Sequence, residues 1–275
     1  MRHRYLVVDQ NYLRTRALQD ILVANPEVRL VLPDLAMLEM TKPVQRELTV
    51  RLSLKDIARE PGRVFVSKAT SECLKYELTF KRSVSGHMLF REATNFVRKI
   101  LIAVDTGVPN EQHTKVIEDP ENHIPELMRD YLDHETNKAR SLELVDATKQ
   151  EMSAEFARRV RGAKVATEER IAFVAEKAPS LLVGVLEDTG FSREKAIAFA
   201  RTRPMLLRYF YLKLWACLVW EEQGRLESLG ALKVSNDLLD HEYVLAGTFF
   251  DGVLSAEPAV NEAYQAVKRM LSARV

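Results

Sequence analysis

Cysteine is scarce, with Cys73 and Cys217 the only two among 275 residues. Two thiols cannot build the disulfide framework of a small secreted domain or a four-cysteine zinc site. Such a pair is ordinary in a reducing compartment. Long apolar runs are also missing. Tyr5-Leu6-Val7-Val8 is shorter than the roughly 7–15 residues of a signal-peptide core. The most apolar stretch, Met205 to Trp220, is interrupted by Arg208 and Lys213, whereas a membrane span needs about 20 apolar residues. The expectation is therefore a soluble, cytoplasmic protein with no membrane partner. Net charge is small: 40 basic residues face 39 acidic ones, for +1, which excludes a uniformly basic nucleic-acid binder. There is no internal repeat and no low-complexity segment. With 47% apolar and 29% charged residues, usage is that of a globular chain and not of a disordered, rod-like or collagen-like one.

What is present alternates. Residues 5–8, 28–32 and 64–66 are short β-rich apolar runs that read as buried parallel strands. Leu13, Ala17, Leu18, Ile21 and Leu22 predict a helix over 11–24. Pro33 suits the first turn of a helix through Leu35, Leu38, Glu39 and Met40. Pro43 opens another helix, which Pro61-Gly62 closes. This is an α/β opening with a parallel sheet. From Ser71 the pattern turns helical, at roughly 71–80, 86–103, 124–150 and 151–178. Pro179, Gly184 and Gly190 read as breaks, Ser192 as an N-cap, and 204–223 as a long helix. A helix over 236–250, a strand over 252–255 and a helix over 258–273 complete the chain. The expected architecture is an α/β domain built from 1–70 and 200–275, with 71–199 as a mostly helical insertion.

In an open parallel sheet, ligands bind beyond the carboxyl ends of the strands. Asp9 directly follows the first strand, and Glu257 lies two residues past Ser255 at the end of the last. Asp237 and Asp240 open the 236–250 helix, three residues apart and so on one face, at the positive end of the helix dipole. Glu39 lies in the helix after the second strand. Taken singly, each acid is as well explained as a helix cap or a solvated side chain. Taken jointly, they stand on the side where such folds carry their sites. Clustered carboxylates repel and stay ionised together only when cations hold them. An all-oxygen set favours Mg²⁺ or Mn²⁺ over zinc. Two such ions about 3.5–4 Å apart are the usual clamp for phosphodiester hydrolysis.

Four segments carry a resemblance, in order: Val7-Val8-Asp9-Gln10-Asn11; Leu32 through Met40 with Glu39; Asn236 through Ala246 with Asp237 and Asp240; and Phe250 through Glu257. In these the chain resembles the PIN-like nuclease superfamily, over about 110 residues. The resemblance implies a PIN-like Rossmannoid sheet and a metal-dependent endoribonuclease. Asp9, Glu39 and Asp240 would be its main metal ligands, Glu257 the fourth acid and Asp237 a substitute or helper. It further implies that Ser255 is the polar residue near the metal and that Asn11 supports Asp9. RNA is the implied substrate, with DNA second. A toxin or defence role, a protein inhibitor or antitoxin and a homo-oligomer come by the same analogy. Glu257 stands where the family more commonly has Asp, and the middle of the chain is longer than a minimal member offers.

The near-zero net charge is a cancellation. Between Asp237 and Glu262 every charged residue is acidic, whereas 193–213 carries Arg193, Lys195, Arg201, Arg203, Arg208 and Lys213 against Glu194 alone. Residues 63–99 hold eight basic against three acidic residues, and Arg158, Arg159, Arg161 and Lys164 form a further group. Arg201, Arg203, Arg208, Lys213, Arg158 and Arg159 are the candidate nucleic-acid contacts, with Tyr209, Phe210 and Tyr211 available for base stacking. Solvated helix faces are the plainer reading of each group. The competing reading of the whole is a catalytically silent PIN-like module that binds nucleic acid or protein. Retention of the acids favours activity.

Overall fold

The computed structural model describes residues 2–41, 45–118, 133–224 and 226–272. The chain forms an α/β structure whose strands make a four-stranded parallel sheet. It divides into two compact units. One comprises Met1–Thr70, Gly86–Arg129 and Glu242–Asn261; the other comprises Ser71–Ser85, Asp130–His241 and Glu262–Val275. Residues 200–241, grouped by sequence with the sheet, thus lie in the helical unit. Residues 86–118, grouped with the insertion, lie with the sheet.

The sheet unit is built on β1 (Arg4–Val8), β2 (Val28–Leu32), β3 (Val64–Val66) and β4 (Gly252–Leu254), in the order β3-β2-β1-β4. Central β1 and β2 are apolar on both faces, as parallel strands covered by helices must be. Leu6 pairs with Leu30 on one side and Gly252 on the other, and Leu30 pairs with Val64. After β1 the chain makes a 3-10 turn at Tyr12–Arg14 before α1 (Arg16–Ala24). The expected single helix over 11–24 is divided there because Thr15 is extended, and its hydroxyl caps α1 by accepting from Leu18 N. α2 (Asp34–Thr41) follows β2, and α3 (Arg46–Leu54) follows α2. Pro43, the expected start of that second helix, lies outside the described residues, and α3 ends at Leu54, well before Pro61-Gly62. Buried Arg63 ties this unit together by donating to the carbonyls of Leu22, Asn25 and Val28. Each such charged bond contributes about 1.5–3 kcal/mol.

In the helical unit, α4 (Thr70–Phe80) begins at the boundary with the sheet unit, and two helices of the sheet unit come next, α5 (Arg91–Thr106) and α6 (Glu111–Glu118). α5 packs on β3 through Val97, Ile100 and Leu101, spaced as one helix face. The helical unit continues with α7 (His134–Gln150), α8 (Ala154–Arg161), α9 (Thr167–Asp188), α10 (Arg193–Arg201) and α11 (Met205–Glu222). Of the helix expected over 124–150, the part before 133 lies outside the described residues. The one expected over 151–178 is two helices, parted where Ala163 takes a left-handed φ of 51°. Pro179 and Gly184 do not break the chain; both lie inside α9. An interior proline costs about 3 kcal/mol. The buried stripe Val174, Ala178, Leu182, Val183 and Leu186, packed on α11, outweighs it. Gly190 does end the run, at φ 87°, and Ser192 caps α10 as expected.

α12 (Ala231–Gly247) begins in the helical unit and its residues from Glu242 belong to the sheet unit; α13 (Pro258–Ser272) does the reverse after Asn261. α12 starts five residues before the expected Asn236. Asp237 and Asp240 are therefore mid-helix and gain nothing from the helix dipole, whose effect fades beyond the first turn. Among the described residues no helix is long and apolar enough to cross a membrane.

Candidate functional site

The sheet order sets the position of the site. The chain winds from β1 outward to β2 and β3, then returns to the opposite side of β1 with β4. The topological switch point lies between β1 and β4, where open α/β sheets form their binding crevice. Asp9 and Ser255 are the residues that follow these two strands.

Asp9 is buried, with 3% of its surface exposed. Its peptide N–H continues the pairing of β1 with β4, donating to Leu254 O at 2.9 Å. Its Oδ1 accepts from Asn11 N at 3.1 Å, an Asx turn that sets the direction of the chain leaving β1. Its Oδ2 accepts from the Ser255 hydroxyl at 2.6 Å. Asn11 thus supports Asp9 through its backbone, while its own side chain is exposed. Ser255 Oγ also accepts from Glu257 N at 3.0 Å, which anchors the backbone of Glu257 at the same edge, with the residue itself exposed. Asn261 Nδ2 closes that turn by donating to Ser255 O and Glu257 O.

Glu39, half-buried on α2, accepts through Oε2 from the hydroxyl of Tyr243. Tyr243 is wholly buried, and its oxygen also accepts from Gln10 N at 3.3 Å. Burial first, then the charge of Glu39 and the hydrogen bond to it, and then the charge of Asp9 push this phenol well above its usual 10. It stays protonated and remains a donor. Asp9 and Glu39, one at the tip of β1 and one on α2, therefore act electrostatically on the same hydroxyl. Gln10 and Tyr243 fall inside two of the resembling segments, and the sequence assigns neither a role. The readable signal was a lone polar atom in the apolar run Tyr243-Val244-Leu245-Ala246.

The remaining acids lie in the helical unit. Asp237 is engaged: one oxygen pairs with Lys233, one turn before it, and the other accepts from Trp220 Nε1 at 3.0 Å. Asp240 is half-buried in the middle of α12, three residues before Tyr243. Its neighbour His241 is buried, and burial together with the charge of Lys213 holds its imidazole well below 6.5, neutral at physiological pH. Among the described residues no three His, Cys, Asp or Glu side chains gather as a metal-holding group.

The basic candidates differ in exposure. Arg158, Arg201 and Arg203 are exposed. Arg159 is half-exposed and paired with Glu169. Arg208 is half-buried, its Nε donating to Arg203 O, and burial pushes its guanidinium down to about 10, still charged at neutral pH. Lys213 is buried with its ammonium 5.2 Å above the Tyr209 ring. Tyr211 is core, whereas Tyr209 and Phe210 are half-buried.

No family model, no curated protein and no solved structure matches this chain.

Proposed function

We propose that the protein is a metal-dependent endoribonuclease of PIN-like type that hydrolyses phosphodiester bonds. What carries the reading is Glu39 bonded to the Tyr243 hydroxyl, which also accepts from the peptide N–H of Gln10, the residue after Asp9, beside the β1–β4 switch point. The order of the four resembling segments supports it as well.

The donor chemistry fits a hard divalent cation. Mg²⁺ takes one or two carboxylates and fills its other positions with water and phosphate oxygens, so it does not require an all-protein cage. Asp9 and Glu39 would hold it, with Glu257 as a further acid of the same unit. When bound, Mg²⁺ or Mn²⁺ supplies water activation and charge neutralisation at the leaving oxygen. The chain's own residues hold the carboxylates still. Ser255 and the Asn11 amide each occupy one lone pair of Asp9, and Tyr243 occupies one of Glu39. Each Asp9 oxygen keeps a second lone pair for a ligand.

The test is cleavage of single-stranded RNA by the purified chain with Mg²⁺ or Mn²⁺. EDTA, Asp9→Asn and Glu39→Gln should each abolish cutting while the circular dichroism spectrum stays that of the wild type. Cutting that persists through all three overturns the metal–carboxylate reading. Cutting of DNA alone corrects only the substrate.

A further inference from the structure

A second feature of the sheet unit begins at Arg14, five residues after Asp9 in the chain. α1 and the end of α3 enclose an open cleft of about 560 Å³ whose walls include Arg14, Arg16, Asp20, Val23, Lys55 and Asp56. Arg14 Nε donates to Ser53 Oγ at 2.9 Å, and Gln10 Nε2 donates to the same oxygen at 3.2 Å. Ser53 is completely buried, so its oxygen is a fixed post whose two acceptor positions are both taken. Gln10 follows Asp9, and its peptide N–H donates to Tyr243 OH. A continuous path of hydrogen bonds thus runs from Arg14 through Ser53, Gln10 and Tyr243 to Glu39.

The cations of the cleft are available. Among the described residues neither Arg14, Arg16 nor Lys55 forms an ion pair within 4.0 Å, although Asp20 and Asp56 share the walls. Arg16 and Asp20 are four apart with the cation first, the weaker order for a helical pair. Arg14 is held by Nε alone, which leaves the rest of its guanidinium fork for an anion, and such forks bind phosphate through two parallel bonds. α1 has nine residues and so runs about 13 Å, which makes the cleft a trough and not a socket for one small anion. The positive end of α1 opens onto the Arg14–Arg16 end, and Val23, 86% exposed, offers apolar contact farther along.

We propose that this cleft is the subsite that holds the phosphodiester backbone of single-stranded RNA beside Asp9, with Arg14, Arg16 and Lys55 as its phosphate contacts. The proposal rests on the nuclease reading above. Arg14 is also the positioning link, because the atom that orients it is shared with the residue next to Asp9.

Binding is measured on the full chain in EDTA, by fluorescence anisotropy of a labelled oligouridylate across a salt series. Arg16→Ala and Lys55→Ala should each weaken binding about three- to tenfold. Each should also flatten the plot of log K against log salt by about 0.7, the loss of one single-strand phosphate contact. Arg14→Lys should bind more tightly than Arg14→Ala and less tightly than wild type, because it keeps the charge and loses the fork. Unchanged affinity and slope in the Arg16→Ala/Lys55→Ala double variant, with a native circular dichroism spectrum, overturns the subsite, as does a wild-type chain that binds no RNA. Binding with the expected slope changes but no cleavage in Mn²⁺ keeps the subsite and removes the nuclease reading. Cleavage with unchanged affinity and slope does the reverse.

Discussion

Ser255 donates its hydroxyl to Asp9 Oδ2 over 2.6 Å, joining residues 246 positions apart. The bond exists because β1 and β4 are parallel neighbours in register, Val8 opposite Leu254, so the residues just past each strand come together at one edge. Ser255→Ala leaves a buried carboxylate short of a donor, which costs about 1–3 kcal/mol. The urea midpoint should fall at unchanged m-value, and Ser255→Thr should recover most of the loss.

Tyr243 titrates in a direction that can be checked. Its folded pKa is raised, so the stability it contributes is complete below the ordinary phenol value of about 10 and is lost as pH rises from there toward the folded value. Above pH 10 the unfolded chain has released this proton and the native chain has not, so stability falls by about 1.4 kcal/mol per pH unit from this group. Denaturant titrations from pH 9 upward should show that limb, and Tyr243→Phe should flatten it. The same substitution removes the donor to Glu39 and should lower cleavage about ten- to a hundredfold, with binding of RNA unchanged.

Asp237 should prove dispensable for cleavage. Asp237 is committed to Lys233 and Trp220, so Asp237→Asn should change cleavage less than threefold while shifting Trp220 fluorescence and lowering stability by about 1 kcal/mol. Loss of cleavage in this variant would overturn that expectation.

Glu77 holds the helical unit from within. It is fully buried and accepts from Met205 N and Leu206 N at the start of α11 and from Val84 N, all at 2.9–3.0 Å. Glu77→Ala orphans three buried N–H groups and should destabilise by at least about 3 kcal/mol, with Glu77→Gln milder, read from thermal melts. Burial raises the carboxyl pKa, against the lowering effect of those amides and of Arg208. Stability from this group is therefore full below its unfolded pKa near 4.5 and declines as pH rises through the folded value. Glu77→Gln should remove that decline.

Both thiols are core. Cys73 and Cys217 are each 1% exposed, and burial pushes the Cys217 thiol up to about 11. Neither should react with Ellman's reagent at pH 8 in the native protein, and both should react in guanidinium.

The strand positions were legible because short, mostly apolar, β-rich runs set between helical segments leave few other local readings; the first of them leads directly into an acid, Asp9. Asp9 and Glu257 followed from strand ends, and Ser255 from the resemblance. The helix boundaries around 151–190 were not legible. Gly162-Ala163 carries no proline or asparagine signal, and Pro179 carries a strong one that packing overrides. The start of α12 was misread for the same reason. Asn236 and Asp237 look like caps, but buried Val234 and Ser235 belong to the helix that precedes them.

The sequence by itself determined the sheet strands, the acids at their tips and the segregation of charge, since each is local and periodic. Tertiary structure decided which groups meet. It set Tyr243 against Glu39, Ser53 between Arg14 and Gln10, and Asp237 against Trp220. The pairs Tyr243–Glu39, Ser53–Gln10, Ser53–Arg14 and Asp237–Trp220 are separated in the chain by 204, 43, 39 and 17 positions. A hydrogen bond forms over about 3 Å, so no local pattern can specify partners at such separations.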